Sequence, residues 1–132
     1  PDGSKVAYVL NNNIFIKNLG TGETVQVTSD GEKNKIINGV ADWVYEEEFS
    51  FVRAFAWNKT GSHIAFLRFD ETHVPEFSMD VYGNELYPTQ QRFKYPKAGE
   101  KNAEVTLHLY DTTLKSTQNI DLADAYYIPR IE

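Results

Sequence analysis

The chain has 132 residues, 41% apolar and 24% charged, which is enough apolar material for one folded unit and far from the composition of a disordered chain. A net charge of −6 argues against nucleic acid and anionic membrane as partners. Cysteine is absent, which excludes disulfide frameworks and thiol chemistry but leaves both cytoplasm and periplasm open, and no apolar run approaches the length of a membrane span.

Pro1-Asp2-Gly3 is a turn signal, and a turn of this kind implies a strand before it, so the first strand of the unit is expected to be cut off. Lys5 to Leu10 reads as a strand, Asn11-Asn12-Asn13 as a hairpin turn, and Ile14 to Leu19 as the returning strand with Ile14 and Ile16 on one face. Gly20-Thr21-Gly22 turns the chain again, Thr24 to Thr28 reads as a third strand, and Ser29-Asp30-Gly31 closes an antiparallel meander.

Residues 32–53 then interrupt the strand pattern and carry Ala41-Asp42-Trp43-Val44-Tyr45-Glu46-Glu47-Glu48-Phe49. On pattern alone the favoured reading is a solvated acidic run beside core aromatics, because a lone acidic run is a weak motif. Two features point the other way. Trp43 and Tyr45 call for burial, so the acids beside them start from a partly covered place, and the run falls between strands, where binding residues collect. In an extended strand Glu46 and Glu48 would share a face and Glu47 would oppose them. In a helix, neighbours stand roughly 100° apart and can flank one small cation from two sides. A working acid pair therefore predicts a short helix here.

The meander pattern recurs downstream. Gly61-Ser62-His63-Ile64-Ala65-Phe66 repeats Gly3-Ser4-Lys5-Val6-Ala7-Tyr8, and Leu107-His108-Leu109-Tyr110-Asp111 repeats Ile14-Phe15-Ile16-Lys17-Asn18. Repeated meanders joined by polar turns are the signature of a propeller or solenoid of sheets. Asn58-Lys59-Thr60 is a glycosylation sequon, read here as a turn signal ahead of the second copy. Residues 71–103 are inserted within that copy, rich in aromatics and turn formers, and the expected structure is a hairpin pairing Asp80–Leu86 with Gln90–Phe93. The fold class is therefore all-β: antiparallel meander blades forming a partial β-propeller of about two blades, with a short helical turn at the acidic motif. The expected organisation is a partial blade over 1–31, an inserted segment over 32–53, a second blade over 54–122 containing the 71–103 insert, and the start of a further blade over 123–132.

These residues carry a resemblance. Asn38-Gly39-Val40-Ala41-Asp42-Trp43-Val44-Tyr45-Glu46-Glu47-Glu48-Phe49, the blade that opens at Trp57-Asn58-Lys59-Thr60-Gly61, Phe69-Asp70-Glu71, Val74-Pro75 and Tyr95-Pro96-Lys97-Ala98-Gly99-Glu100-Lys101-Asn102 resemble, in place and order, the N-terminal β-propeller of the dipeptidyl peptidase IV family of prolyl oligopeptidase-like serine exopeptidases. The resemblance implies an eight-bladed propeller joined to a C-terminal α/β-hydrolase domain that holds a Ser-Asp-His triad. It implies that Glu47 and Glu48 bind the terminal ammonium of a peptide substrate, that Glu46 is structural or solvated, and that a dipeptide with Pro or Ala at its second position is released. It implies no cofactor and no metal. It also implies export to the periplasm or cell surface of a bacterium, and a homodimer through the 71–103 insert, which resembles the arm some relatives use in dimerisation.

Where the pattern departs, nothing is carried over. The segment between Glu48 and Trp57 is one residue shorter than the family pattern, so Phe49, Ser50 and Phe51 take no role from it. The family's partner arginine belongs to an earlier segment, and Arg53 and Arg68 do not replace it. No Gly-x-Ser-x-Gly elbow is present, and His63, His73 and His108 have no matching nucleophile or zinc-ligand spacing, so they read as surface or packing histidines. Two alternatives stay open: a tripeptidyl-releasing relative, and a non-catalytic propeller whose acids bind a basic partner.

Overall fold

The computed structural model describes residues 1–123 and 125–131. Asp124 and Glu132, both in the segment expected to begin a further blade, lie outside the described residues. The strands are β1 (Lys5–Leu10), β2 (Asn13–Asn18), β3 (Thr24–Gln26), β4 (Ile36–Asn38), β5 (Phe55–Trp57), β6 (His63–Asp70), β7 (Glu76–Val81), β8 (Thr89–Lys94), β9 (Glu104–Asp111) and β10 (Ser116–Ile120), with the helix α1 over Trp43–Phe49. They form two open antiparallel sheets and a separate hairpin, β7–β8. The all-β class, the meander blades and the short helix at the acidic motif are all present, and the propeller arc is not closed.

The first sheet has the order β1-β2-β3. Asn11 and Asn12 both take left-handed φ values, 49° and 60°, and so form the two-residue turn that matches strand twist and pairs Leu10 with Asn13. Asn18 ends β2 because its Oδ1 accepts from the N–H groups of Gly20 and Thr21. Strand β3 stops two residues earlier than its sequence suggests. Val27 N–H still donates to the Ile14 carbonyl, but Ile14 N–H donates to Thr28 Oγ1, so a side chain takes over the ladder there.

The second sheet runs β10-β9-β6-β4, with β5 also on β6. Ile36–Asn38 pairs with the end of β6 and Phe55–Trp57 with its start. The two short strands are thus halves of one sheet edge, and the residues between them are looped out of it. A bridge between Val40 and Arg53 closes the base of this excursion, with Ala41 N–H donating to Val52 O and Ala54 N–H to Gly39 O. Helix α1 forms its tip.

Strand β6 is covered on both sides, which is why it reads as a nearly continuous apolar run. Ile64 and Phe66 face Ile14, Ile16 and Tyr110 between the sheets. Leu67 and Phe69 face Tyr45, Ala54, Val74 and Ile128 beneath the helix. Arg68, on the first of these faces, binds Asp30 through Nε at 2.8 Å, and Asp30 also accepts from Asn38 Nδ2 at 2.8 Å, tying the turn after β3 to the second sheet.

The hairpin differs from its expected register. Its strands are Glu76–Val81 and Thr89–Lys94, pairing Phe77 with Phe93, and the segment expected to extend a strand to Leu86 is the connecting loop. The Glu-Phe-Ser-Met-Asp-Val alternation begins earlier than Asp80, and Gly83-Asn84 favours a turn over extension.

Gly39 sits where β4 gives way to the helical excursion, with φ at 74°, and a Cβ there would stand 2.8 Å from Ile14 Cδ1. Both the left-handed backbone and the close approach require glycine. Gly39→Ala is expected to destabilise the protein by about 2 kcal/mol, read as a lowered denaturant midpoint with unchanged slope.

Candidate functional site

Helix α1 is seven residues long, too short to stand on its own propensity. Three contacts hold it. Asp42 caps it, accepting from Tyr45 N–H at 2.9 Å. Tyr45, 1% exposed, is driven into the core, where its ring meets Phe49, Phe51, Phe69 and Tyr127 edge-on or tilted at centroid distances of 4.9–6.1 Å. Its hydroxyl accepts from the Ile128 N–H at 2.9 Å, which joins the helix to the end of the chain. Trp43 meets Tyr95 edge-on at 4.3 Å, and Tyr95 packs against Phe77 of the hairpin. Ser50 ends the helix in the left-handed conformation.

Glu46, Glu47 and Glu48 are all exposed. Helical spacing sets them apart. Glu48 follows Val44 by one turn, toward the protein; Glu47 follows Trp43; Glu46 points elsewhere. Glu48 lines a cleft of about 550 Å³ whose other walls include Trp43, Phe49, Tyr95, Tyr126 and Tyr127. A larger cleft of about 730 Å³ lies beyond Phe49 and is lined by Phe51, Arg53, Phe55, Trp57 and the 129–131 segment; neither Glu47 nor Glu48 reaches it. The structure therefore carries Glu47 and Glu48 on one helix and places Glu48 at a hollow, while Glu47 is exposed and is not among the residues lining it.

The residues set aside in the sequence have structural partners. His63 Nδ1 shares a hydrogen bond with Ser62 Oγ at 2.8 Å, and its Nε2 lies 3.4 Å from Asp111 Oδ2. His73 Nε2 bonds the Asn102 carbonyl. His108 stacks on Phe66 at 5.2 Å and bonds Thr106, and burial lowers its pKa. Arg53 lies 5.8 Å from the Phe55 ring centroid. Among the described residues no cluster of His, Cys, Asp and Glu could hold a metal ion. The sequon asparagine, Asn58, spends its amide on Thr60 and Ser62 and accepts from the Ser62 and His63 N–H groups, as a turn residue does.

One buried acid has no role assigned to it from the sequence. Glu71, just past β6, is 6% exposed. Burial, and then the Asp42 carboxylate, push its pKa up to about 7. Asp42 itself is raised by burial. The available signal was the alternation of β6: Leu67, Phe69 and Glu71 share the face toward α1.

The family model described as the dipeptidyl peptidase IV (DPP IV) N-terminal region matches residues 1–132. A probable dipeptidyl-aminopeptidase B of Chaetomium globosum is 40% identical over 138 residues, covering 96% of this chain and 15% of the relative. Dipeptidyl peptidase 4 of Felis catus is 42% identical over 115 residues, covering 85% of this chain and 15% of the relative. The crystal structure of Porphyromonas gingivalis dipeptidyl peptidase 4 superposes with a TM-score of 0.93 at 48% identity, over 98% of this chain and 19% of that one. The chain thus spans about 15% of the length of the curated relatives it matches.

Proposed function

The chain belongs to the family of dipeptidyl peptidase IV N-terminal regions, and from that membership we propose that it is the substrate-anchoring propeller segment of a serine exopeptidase that releases N-terminal dipeptides with Pro or Ala at the second position. In this reading Glu47 and Glu48 clasp the substrate's terminal ammonium, and the α/β-hydrolase domain of the full-length protein supplies the nucleophile.

One observation carries the reading: two consecutive acids stand on a helix clamped by its cap, its core tyrosine and its edge tryptophan, with Glu48 on the wall of an aromatic cleft. A peptide α-amino group titrates near 7.7–8.0 and is largely protonated at neutral pH. A carboxylate about 4 Å away gives roughly 4 kcal/mol of gross attraction at an effective dielectric of about 20. Exposed pairs retain only about 0–1 kcal/mol of that, so the clasp works only if substrate and cleft walls exclude water and the helix does not move. The clamps meet the second condition. With the amine fixed, the distance to the scissile bond is fixed, and the pair contributes orientation and not bond-breaking chemistry.

The test is replacement of both acids by glutamine in the full-length protein, read by dipeptide-reporter kinetics. A tripeptide product, or capture of a basic partner without turnover, would replace this reading by another.

The hairpin supports a second proposal, a homodimer of the full-length protein. Its tip exposes Tyr82 at 80%, Leu86 at 96% and Tyr87 at 84%, and its strands expose Phe77, Met79 and Val81. A run of exposed apolar side chains on one hairpin marks an interaction surface. Excising residues 82–88 and joining Val81 to Thr89 by Asn-Gly preserves the register of a two-residue turn. Sedimentation velocity is expected to show a monomer; an unchanged dimer would retire the proposal.

A further inference from the structure

The first turn of α1 rests on buried charge. Asp42, its cap, is 7% exposed and Glu71 is 6% exposed. Both line a cleft of about 450 Å³ between α1, the 33–34 loop and the hairpin. Asp42 Oδ1 holds the Tyr45 N–H. Among the described residues no hydrogen bond reaches the Glu71 carboxyl; burial acts on it first, and then the charges around it. Three charges act on it. They are Asp42 before α1, Asp70 at the end of β6 and Lys94 on β8, with Lys33 at the cleft rim. Lys94 Nζ already donates to the Thr72 and Val74 carbonyls at 3.2 and 2.7 Å. Lys35 is paired with Glu32 and offers Glu71 only its backbone carbonyl.

We propose that Glu71 is a positioning residue that keeps a proton beneath the first turn of α1, and that losing this proton loosens the helix on which Glu47 and Glu48 stand. The second half of this proposal rests on the reading of those acids as the ammonium clasp. A neutral Glu71 leaves Asp42 as the single buried anion at the cap. A charged Glu71 adds a second, largely buried anion that receives no donor from the described residues and repels the first, and one committed ammonium offsets both only in part. The folded state holds the proton between the ordinary carboxylate value of 4.5 and about 7, where the unfolded chain has released it. The stabilisation is therefore complete below that window, falls as pH rises through it, and is gone above it.

Glu71→Gln in the full-length protein keeps a neutral side chain at every pH. The melting temperature of the variant minus that of the wild type is expected to grow from about pH 5 to about pH 8. Over the same range the ratio of wild-type KM to variant KM for a Gly-Pro reporter is expected to rise about fivefold, with the kcat ratio flat. Titration of the substrate amine cancels in that ratio. Asp42→Asn keeps a capping oxygen and moves the step to lower pH. A melting difference independent of pH overturns the proton; a pH-dependent melting difference with a flat KM ratio overturns the positioning role. Failure of the clasp reading shows separately, as unchanged KM when Glu47 and Glu48 are replaced, and leaves the melting comparison intact.

Discussion

Replacing Glu47 and Glu48 together by glutamine is expected to lower kcat/KM of the full-length protein for Gly-Pro-type reporters by about 10²-fold, or ~3 kcal/mol of transition-state stabilisation. A hydrogen bond to a charged group contributes about 1.5–3 kcal/mol, and the exposure of both acids keeps the sum toward the lower end. The loss follows charge and not shape, since glutamine keeps the size and both polar atoms. Glu46→Gln is the internal control, because Glu46 stands two residues, about 200° of helix, from the cleft-lining Glu48, and it is expected to change kinetics less than about twofold. Folding is a second control. Glu47 and Glu48 fall in the last turn of α1, where carboxylates oppose the helix dipole, so the double variant should melt at or slightly above the wild-type temperature. Reporter kinetics indistinguishable from wild type would remove the clasp.

Tyr45→Ala is expected to destabilise the protein by about 4 kcal/mol, in the range for deleting a buried aromatic ring. Tyr45 is 1% exposed and touches four aromatic rings from three parts of the chain, so its loss leaves a cavity that cannot close by moving one neighbour. Tyr45→Phe separates the hydroxyl from the ring. It leaves the Ile128 N–H without its acceptor and should cost about 1–2 kcal/mol. Denaturant unfolding measures both. If the core tyrosine is the anchor of the helix, Tyr45→Phe also raises KM more than it lowers kcat; a midpoint unchanged in both variants would mean that α1 is held by its cap and by Trp43 alone.

Much of the architecture was legible in short stretches. The Asn-Asn turn, the period-two strands and the recurrence of Gly-Ser-x-x-Ala-aromatic are local, so backbone sterics and alternation specify them without reference to the rest of the chain. The helix was legible conditionally: neighbouring acids can flank one small cation at helical spacing, whereas a strand turns them to opposite faces. The hairpin register was less legible, because residues such as Met79 and Leu86 are exposed and no burial pattern pins them.

Sequence by itself thus determined the strand pattern, the repeat and the short helix at the acidic motif. Only the tertiary structure decided that Ile36–Asn38 and Phe55–Trp57 share one edge of β6, that Tyr45 reaches Ile128, and that Glu71 lies buried against Asp42. Strand partners and burial depend on residues distant along the chain, and a carboxylate's proton affinity depends on which of them exclude water from it.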